Sequence, residues 1–171
     1  FYKCPLCGSE FHIEAHGNDV HCTKCGATAS FQDDFTFKWN RKSPSCFENY
    51  SQWYDWQLGE MLKAVSRPDF KLSEEVEYGY DEPGVDNYVK AGRGIMTLTH
   101  EGWDYVGSFK GEHVHEHDEP KSVFLATLKV GLHFELPYRF GRCRVFYPKN
   151  GLHSMRWHLA SLAMSMILKN S

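Results

Sequence analysis

Cys4-Pro-Leu-Cys7-Gly8 and Cys22-Thr-Lys-Cys25-Gly26 decide how this chain is read. Each stretch holds two thiols with two residues between them, and 14 residues separate Cys7 from Cys22. In so tight a turn both sulfurs face one ion. The glycine after the second cysteine accepts the positive φ and the close backbone approach that the turn imposes. Two such knuckles complete a tetrahedral set of four thiolates. With no position left for a water molecule, zinc held by Cys4, Cys7, Cys22 and Cys25 is expected to be structural rather than catalytic. The competing reading, two redox-active or disulfide-bonded pairs, leaves the shared knuckle glycine unexplained.

Working outward, Phe11-His-Ile-Glu-Ala15 alternates as a strand does, and His16-Gly-Asn-Asp19 supplies a turn, so a hairpin is expected between the knuckles. His12, His16 and His21 read as exposed strand and turn residues, because four thiolates already satisfy zinc. Phe31, Phe35, Phe37 and Trp39 extend the sheet, and Asn40-Arg-Lys-Ser-Pro44 ends it, which defines a ribbon over residues 1–42. Cys46 and Cys143 remain and are expected to pack as small apolar residues. Thiolate ligation beside free cysteines implies a reducing compartment.

Residues 43–69 read as a linker carrying one helix. Ser45-Cys-Phe-Glu48 fits a capping box, Arg67-Pro68 stops the helix, and Tyr54, Leu58, Met61 and Val65 recur at helical spacing. Trp53 and Trp56 broaden that stripe. Such aromatics can stack nucleobases, but the helical period favours a core role. From Phe70 the pattern changes to short β-forming runs punctuated by glycine. Expected strands are 75–80, 93–99, 103–109, 112–117, 123–128, 133–136 and 143–147, with turns at Glu101-Gly102, Lys110-Gly111 and Phe140-Gly141. A final helix over 154–168 presents Met155, Leu159, Leu162, Ala163, Met166 and Ile167, with Ser154 as its cap. The fold class is therefore α+β: a four-cysteine ribbon, a linking helix, then a seven-stranded antiparallel barrel or sandwich over 70–171, closed by a C-terminal helix. Seven strands followed by one helix resemble the pleckstrin-homology-like domains, a family of small phosphoinositide and peptide adaptors.

Composition sets limits. The chain has 171 residues, 42% of them hydrophobic and 15% aromatic, enough for a buried core. No apolar run approaches the ~20 residues needed to cross a bilayer. Charge is uneven: residues 1–42 balance five Lys/Arg against five Asp/Glu, whereas 43–85 hold three against nine and 86–171 hold eleven against eight. No acidic residue follows Glu135, while Arg139, Arg142, Arg144, Lys149, Arg156 and Lys169 do. That positive end suits an anionic partner, and it also suits pairing with the acidic middle segment. The balanced ribbon disfavours nucleic acid.

Two constellations suggest catalysis. His113, His115 and His117 share one strand face, but same-face neighbours lie ~7 Å apart, so three imidazoles cannot surround one ion unaided. A solvent-facing strand is the simpler reading. His113 and Asp118 also fit His-x4-Asp, the signature of glycerophospholipid acyltransferases, in which the histidine acts as base toward the acceptor hydroxyl and the aspartate orients it. The Phe-Pro-Glu-Gly type of phosphate-binding motif that must follow is absent, as are Gly-x-Ser-x-Gly, a phosphate loop and a dinucleotide fingerprint.

The order of the parts resembles a particular group. The two knuckles, Trp53-Tyr54-Asp55-Trp56, and Ala91-Gly-Arg-Gly-Ile-Met-Thr-Leu-Thr99 followed by Glu101-Gly102 are similar to the C-terminal extension of bacterial 1-acyl-glycerol-3-phosphate acyltransferases. The resemblance implies a parent enzyme whose N-terminal catalytic domain carries His-x4-Asp, and a chain starting at Phe1 reads as a piece of it. It implies a non-catalytic regulatory or lipid-docking module that is cytoplasmic and peripheral at the inner face of the membrane. Arg139, Arg142 and Arg144 would meet anionic phospholipid headgroups, or the module would meet the parent acyltransferase domain. The alternative is an adaptor that uses the ribbon to bind nucleic acid or protein.

Overall fold

A computed structural model describes residues 1–119, 126–137 and 142–169. The protein is α+β and divides into two compact units, Phe1–Glu60 and Met61–Ser171.

In the first unit, β1 (Ile13–His16), β2 (Asp19–Cys22), β3 (Thr28–Phe31) and β4 (Phe37–Trp39) form an antiparallel sheet in chain order. Helix α1 spans Tyr50–Val65. It does not begin at the Ser45–Glu48 box: the side chain of Asn49 accepts from the Gln52 amide at 3.0 Å, and Gln52 Oε1 accepts from the Glu48 amide at 2.8 Å. The reciprocal cap thus lies four residues later than expected, because the Glu48 carbonyl is taken by the Phe37 amide of β4. The face of α1 that is buried is Trp53, Gln57, Met61 and Val65, with Tyr54 and Leu58 at its margins. Trp53 belongs to the ribbon core with Cys4, Ile13, Cys22 and Ala27, and Phe1 stacks on it at 3.9 Å between ring centroids.

In the second unit, β5 (Leu72–Tyr80), β6 (Val89–Thr99), β7 (Gly102–Phe109), β8 (Glu112–Asp118), β9 (Thr127–Lys129), β10 (His133–Pro137) and β11 (Cys143–Pro148) pair antiparallel in the order β8-β7-β6-β5-β11-β10-β9. Six of the expected strands recur with ends moved by a few residues. Of the strand expected at 123–128, residues 123–125 lie outside the described residues, as does the turn at Phe140-Gly141. The first strand of the sheet pairs with the last, which curls it, but β8 and β9 are edges and do not pair with each other. Among the described residues a closed barrel is thus not formed. β8 has no buried residue and carries His or Glu on both faces, the kind of strand that stays at an edge.

Helix α2 (His153–Lys169) covers the curl, and Trp157 is fully buried between Trp103 of β7 and Phe134 of β10, at centroid distances of 5.6 and 5.1 Å. The expected face is only half right: Met155, Leu159 and Ala163 are buried, but Met166 is 39% exposed, and Trp157, Ala160 and Met164 face inward instead. Ser154 is no cap either. It is buried, its hydroxyl donates to the Gly151 carbonyl, and Asn150 Oδ1 accepts from the Leu152 amide at the helix start. Among the described residues no helix is long and apolar enough to cross a membrane.

The curl depends on close approach of β6 and β7. Gly94 faces Gly107, and a Cβ on Gly107 would lie 2.4 Å from Gly94 Cα. Gly107→Ala is therefore expected to destabilise the second unit by about 1–3 kcal/mol, since the obstacle is backbone and cannot rotate away. Urea unfolding followed by tryptophan fluorescence measures it, and an unchanged midpoint would contradict the account.

Candidate metal centre

Both knuckles close with the same bonds. The Gly8 amide donates to the Cys4 carbonyl and the Cys4 amide to the Ser9 carbonyl, both at 2.9 Å. Gly26 donates to Cys22 at 2.9 Å, and Cys22 to Ala27 at 2.8 Å. Gly8 and Gly26 each sit at φ 70°, the conformation for which the sequence places glycine there. The second knuckle starts on the last residue of β2, where Cys22 pairs with Ile13, so the hairpin register delivers its sulfur to the first knuckle.

The four sulfurs all lie within 4.8 Å of one another, with Cys4–Cys25 and Cys7–Cys22 both at 3.8 Å. Thiolates ~2.3 Å from a tetrahedral zinc are separated by roughly 3.8 Å, so the quartet fits that ion as it stands. Burial is graded: Cys4 and Cys22 are 1% exposed, Cys25 is half-buried and Cys7 is exposed. Burial pushes the Cys4 thiol up to about 12. Burial acts on Cys7 in the same sense, but the Ser9 hydroxyl, 2.9 Å from the sulfur, and the Ser9 amide outweigh it and bring the thiol down to about 6. Ser9 also lies 3.6 Å from the Cys22 sulfur, which makes it the second-layer polar group of the site. Sequence spacing passes over Ser9, although its position directly after the knuckle glycine marks it. A bound divalent cation would hold all four sulfurs as thiolates and could bind no water beside them, so the centre is suited to bracing the fold.

Gln57 is the other residue missed. Fully buried in α1, its Oε1 accepts from the amides of Tyr2 and Lys3 at 2.9 and 3.0 Å, and so fixes the segment that leads into Cys4. Trp53 Nε1 donates to the Lys3 carbonyl at 3.0 Å and does the same. A glutamine at a core position of a helical stripe is the signal that could have identified it.

The other expected site residues scatter. Arg139 lies outside the described residues. Arg142 is exposed just before β11. Arg144 does not face a partner: it is 4% exposed, and its guanidinium pairs with Glu116 at 3.2 Å and with Asp118 at 2.5 Å. The expectation of three arginines presented together therefore fails at Arg144. Its neighbours are the reason, since Val145 and Phe146 are also buried and β11 shows no alternation from which a direction could be read. His115 Nε2 and His117 Nδ1 each lie 3.1 Å from the same Asp104 oxygen, on an exposed surface, while His113 sits near the tip of the hairpin. Among the described residues these imidazoles do not form a compact ligand group; the four cysteines do.

A second feature gathers at one end of the curled sheet. Tyr80 and Asp81 after β5, Phe109 and Lys110 at the β7–β8 turn, and Arg142 and Arg144 at β11 line a cleft of about 210 Å³. The Lys110 ammonium stands 4.0 Å from the centre of the Tyr80 ring.

No family model matches the chain, and no curated protein matches it. Among solved structures, the Dm DCP1 EVH1 domain in complex with the XRN1 DBM peptide is similar at 13% identity and a TM-score of 0.43, over 77% of this chain and 98% of that one. At that distance the likeness assigns neither family nor function.

Proposed function

We propose that this chain is a non-catalytic accessory module that docks on anionic phospholipid headgroups, with a zinc ribbon bracing its N-terminal unit and a pleckstrin-homology-like domain as the docking element. The observation that carries it is the cleft at the end of the sheet, where Lys110 of the β7–β8 turn and Arg142 just before β11, far apart in sequence, line one opening. Arg144, buried and paired with Glu116 and Asp118, is not available to a ligand, which leaves Lys110 and Arg142 against Asp81 in the lining, an excess of positive charge suited to phosphate. The strand order, first strand beside last and a helix following, supports the pleckstrin-homology-like assignment. The parent enzyme, a glycerophospholipid acyltransferase, rests on the resemblance of the knuckles, the Trp53–Trp56 segment and the Ala91–Thr99 strand; a His-x4-Asp motif upstream of Phe1 in the natural polypeptide would support it.

Flotation with phosphatidylcholine vesicles, with and without phosphatidylglycerol, tests the docking. Anionic vesicles should bind the chain in low salt and lose it as salt rises. Lys110→Glu combined with Arg142→Glu should weaken binding by roughly tenfold or more, at about 1 kcal/mol per basic residue near the surface. Equal flotation with neutral and acidic vesicles would reject the reading. A second reading, a protein or nucleic-acid adaptor that uses the ribbon, is favoured by Phe35, which is 74% exposed at the β3–β4 turn. Gel shifts that weaken steeply with salt would identify the nucleic-acid form.

A further inference from the structure

We propose that His115, His117 and Asp104 form a second metal site, on the outer face of the β7–β8 hairpin, for a divalent transition metal of the zinc, nickel or copper kind. Trp103 and Tyr105 are buried, so strand alternation turns Asp104 to the outer face. Register then sets His117 of β8 directly opposite Asp104, with His115 two residues away on the same face. Three histidines on one strand cannot surround an ion unaided, and Asp104 is the donor that the neighbouring strand supplies. Its Oδ1 lies 3.1 Å from His115 Nε2 and 3.1 Å from His117 Nδ1, so two imidazoles already converge on one carboxylate oxygen. His113 stands opposite Ser108 instead, a further step along the strand and outside that group.

The spacing from oxygen to each nitrogen is that of ligands on a common ion. At about 2.0–2.2 Å from its donors, a tetrahedral ion separates neighbouring ligand atoms by roughly 3.3 Å and an octahedral one by roughly 3.0 Å. The trio is set more widely than the four sulfurs, which are the compact ligand group among the described residues. Closing it falls to the two rings, whose side chains are 62% and 43% exposed and change rotamer quickly. Asp104 is the better fixed member, at 31%. Burial works against its charge, but the bonds from His115 and His117 outweigh it and hold the carboxyl below its ordinary value, so the oxygen offered is anionic. Two imidazoles with one carboxylate suit zinc, nickel and copper, whereas magnesium and calcium favour oxygen donors alone. Three donors on an exposed face hold an ion less firmly than four thiolates, so gel filtration is expected to empty this site and not the ribbon. An ion bound there clamps edge strand β8 onto β7.

The test loads the full chain with zinc, passes it through gel filtration and titrates it with nickel(II) chloride by calorimetry, with an indicator dye present for released zinc. One nickel per chain should bind, and no zinc should be released. His115→Asn and His117→Asn should each weaken nickel binding by roughly tenfold or more, Asp104→Asn by about tenfold, and His113→Asn by less than about twofold. The three histidines are exposed, so their variants should keep the wild-type thermal midpoint without nickel. Nickel should raise that midpoint for the wild type and not for His117→Asn. No nickel uptake, zinc released in step with it, equal weakening by His113→Asn, indifference to Asp104→Asn, or equal binding of magnesium(II) would each overturn the proposal. Lys110 and Arg142 take no part in these outcomes, so this site and the headgroup cleft can each fail alone.

Discussion

Cys22→Ser is expected to abolish zinc binding and to unfold Phe1–Glu60. The cysteines are themselves part of the core of that unit: Cys4 and Cys22 are two of the five buried residues of its apolar cluster, beside Ile13, Ala27 and Trp53. A unit of this size buries too little apolar surface to fold firmly alone, and structural zinc contributes on the order of 10–16 kcal/mol of apparent binding energy that is also folding energy. Loss of one thiolate removes most of that and leaves the two knuckle turns with nothing to close on. Elemental analysis of the wild-type chain should give one zinc per molecule and of the variant close to none. Near-UV circular dichroism and limited proteolysis should report loss of order before Glu60, and a strong chelator should reproduce the effect on the wild type. A chelated chain that kept its near-UV signal and its protease resistance would show that the ribbon does not depend on metal.

Arg144→Ala is expected to cost the second unit about 3–5 kcal/mol, the usual penalty for stranding buried charges by removing their partner. Arg144 lies on β11 and its carboxylate partners on β8, yet β5, β6 and β7 stand between those two strands in the sheet. The ion pairs therefore cross the hollow of the curl and tie an edge strand to the middle of the sheet. Glu116 is further held by the Tyr78 hydroxyl at 3.1 Å, and Arg144 donates to the Pro137 carbonyl at 3.3 Å. With Arg144 gone, Glu116 and Asp118 are left as partly buried like charges. Thermal unfolding should shift down by on the order of 10–20 °C, and adding Glu116→Gln and Asp118→Asn should recover part of it. If Arg144 acted at a headgroup instead, the variant would lose vesicle binding with its unfolding midpoint intact.

The four-cysteine cluster was legible because its determinants are local. The spacing of the cysteines and the two glycines at φ 70° are properties of five-residue turns, and each knuckle could be drawn without knowledge of the rest. Strand positions were legible for a similar reason, since β-forming runs bounded by glycine occupy the same residues in any antiparallel arrangement. Residues whose role depends on a distant partner were not. Gln57 looks like a polar interruption of an apolar helix until the amides of Tyr2 and Lys3 arrive beside it. In α2, buried residues lie on several sides of the helix, so helical period alone could not choose Trp157 over Met166.

By itself, then, the sequence determined the four-cysteine cluster, the α+β class and the run of strands, because these follow from spacing, turn chemistry and local propensity. The tertiary structure decided which way the charges point. It turned Arg144 inward to close a curled sheet and left Lys110 and Arg142 at one cleft. Each of those choices is made by pairing between strands far apart in the chain, and no local pattern records it.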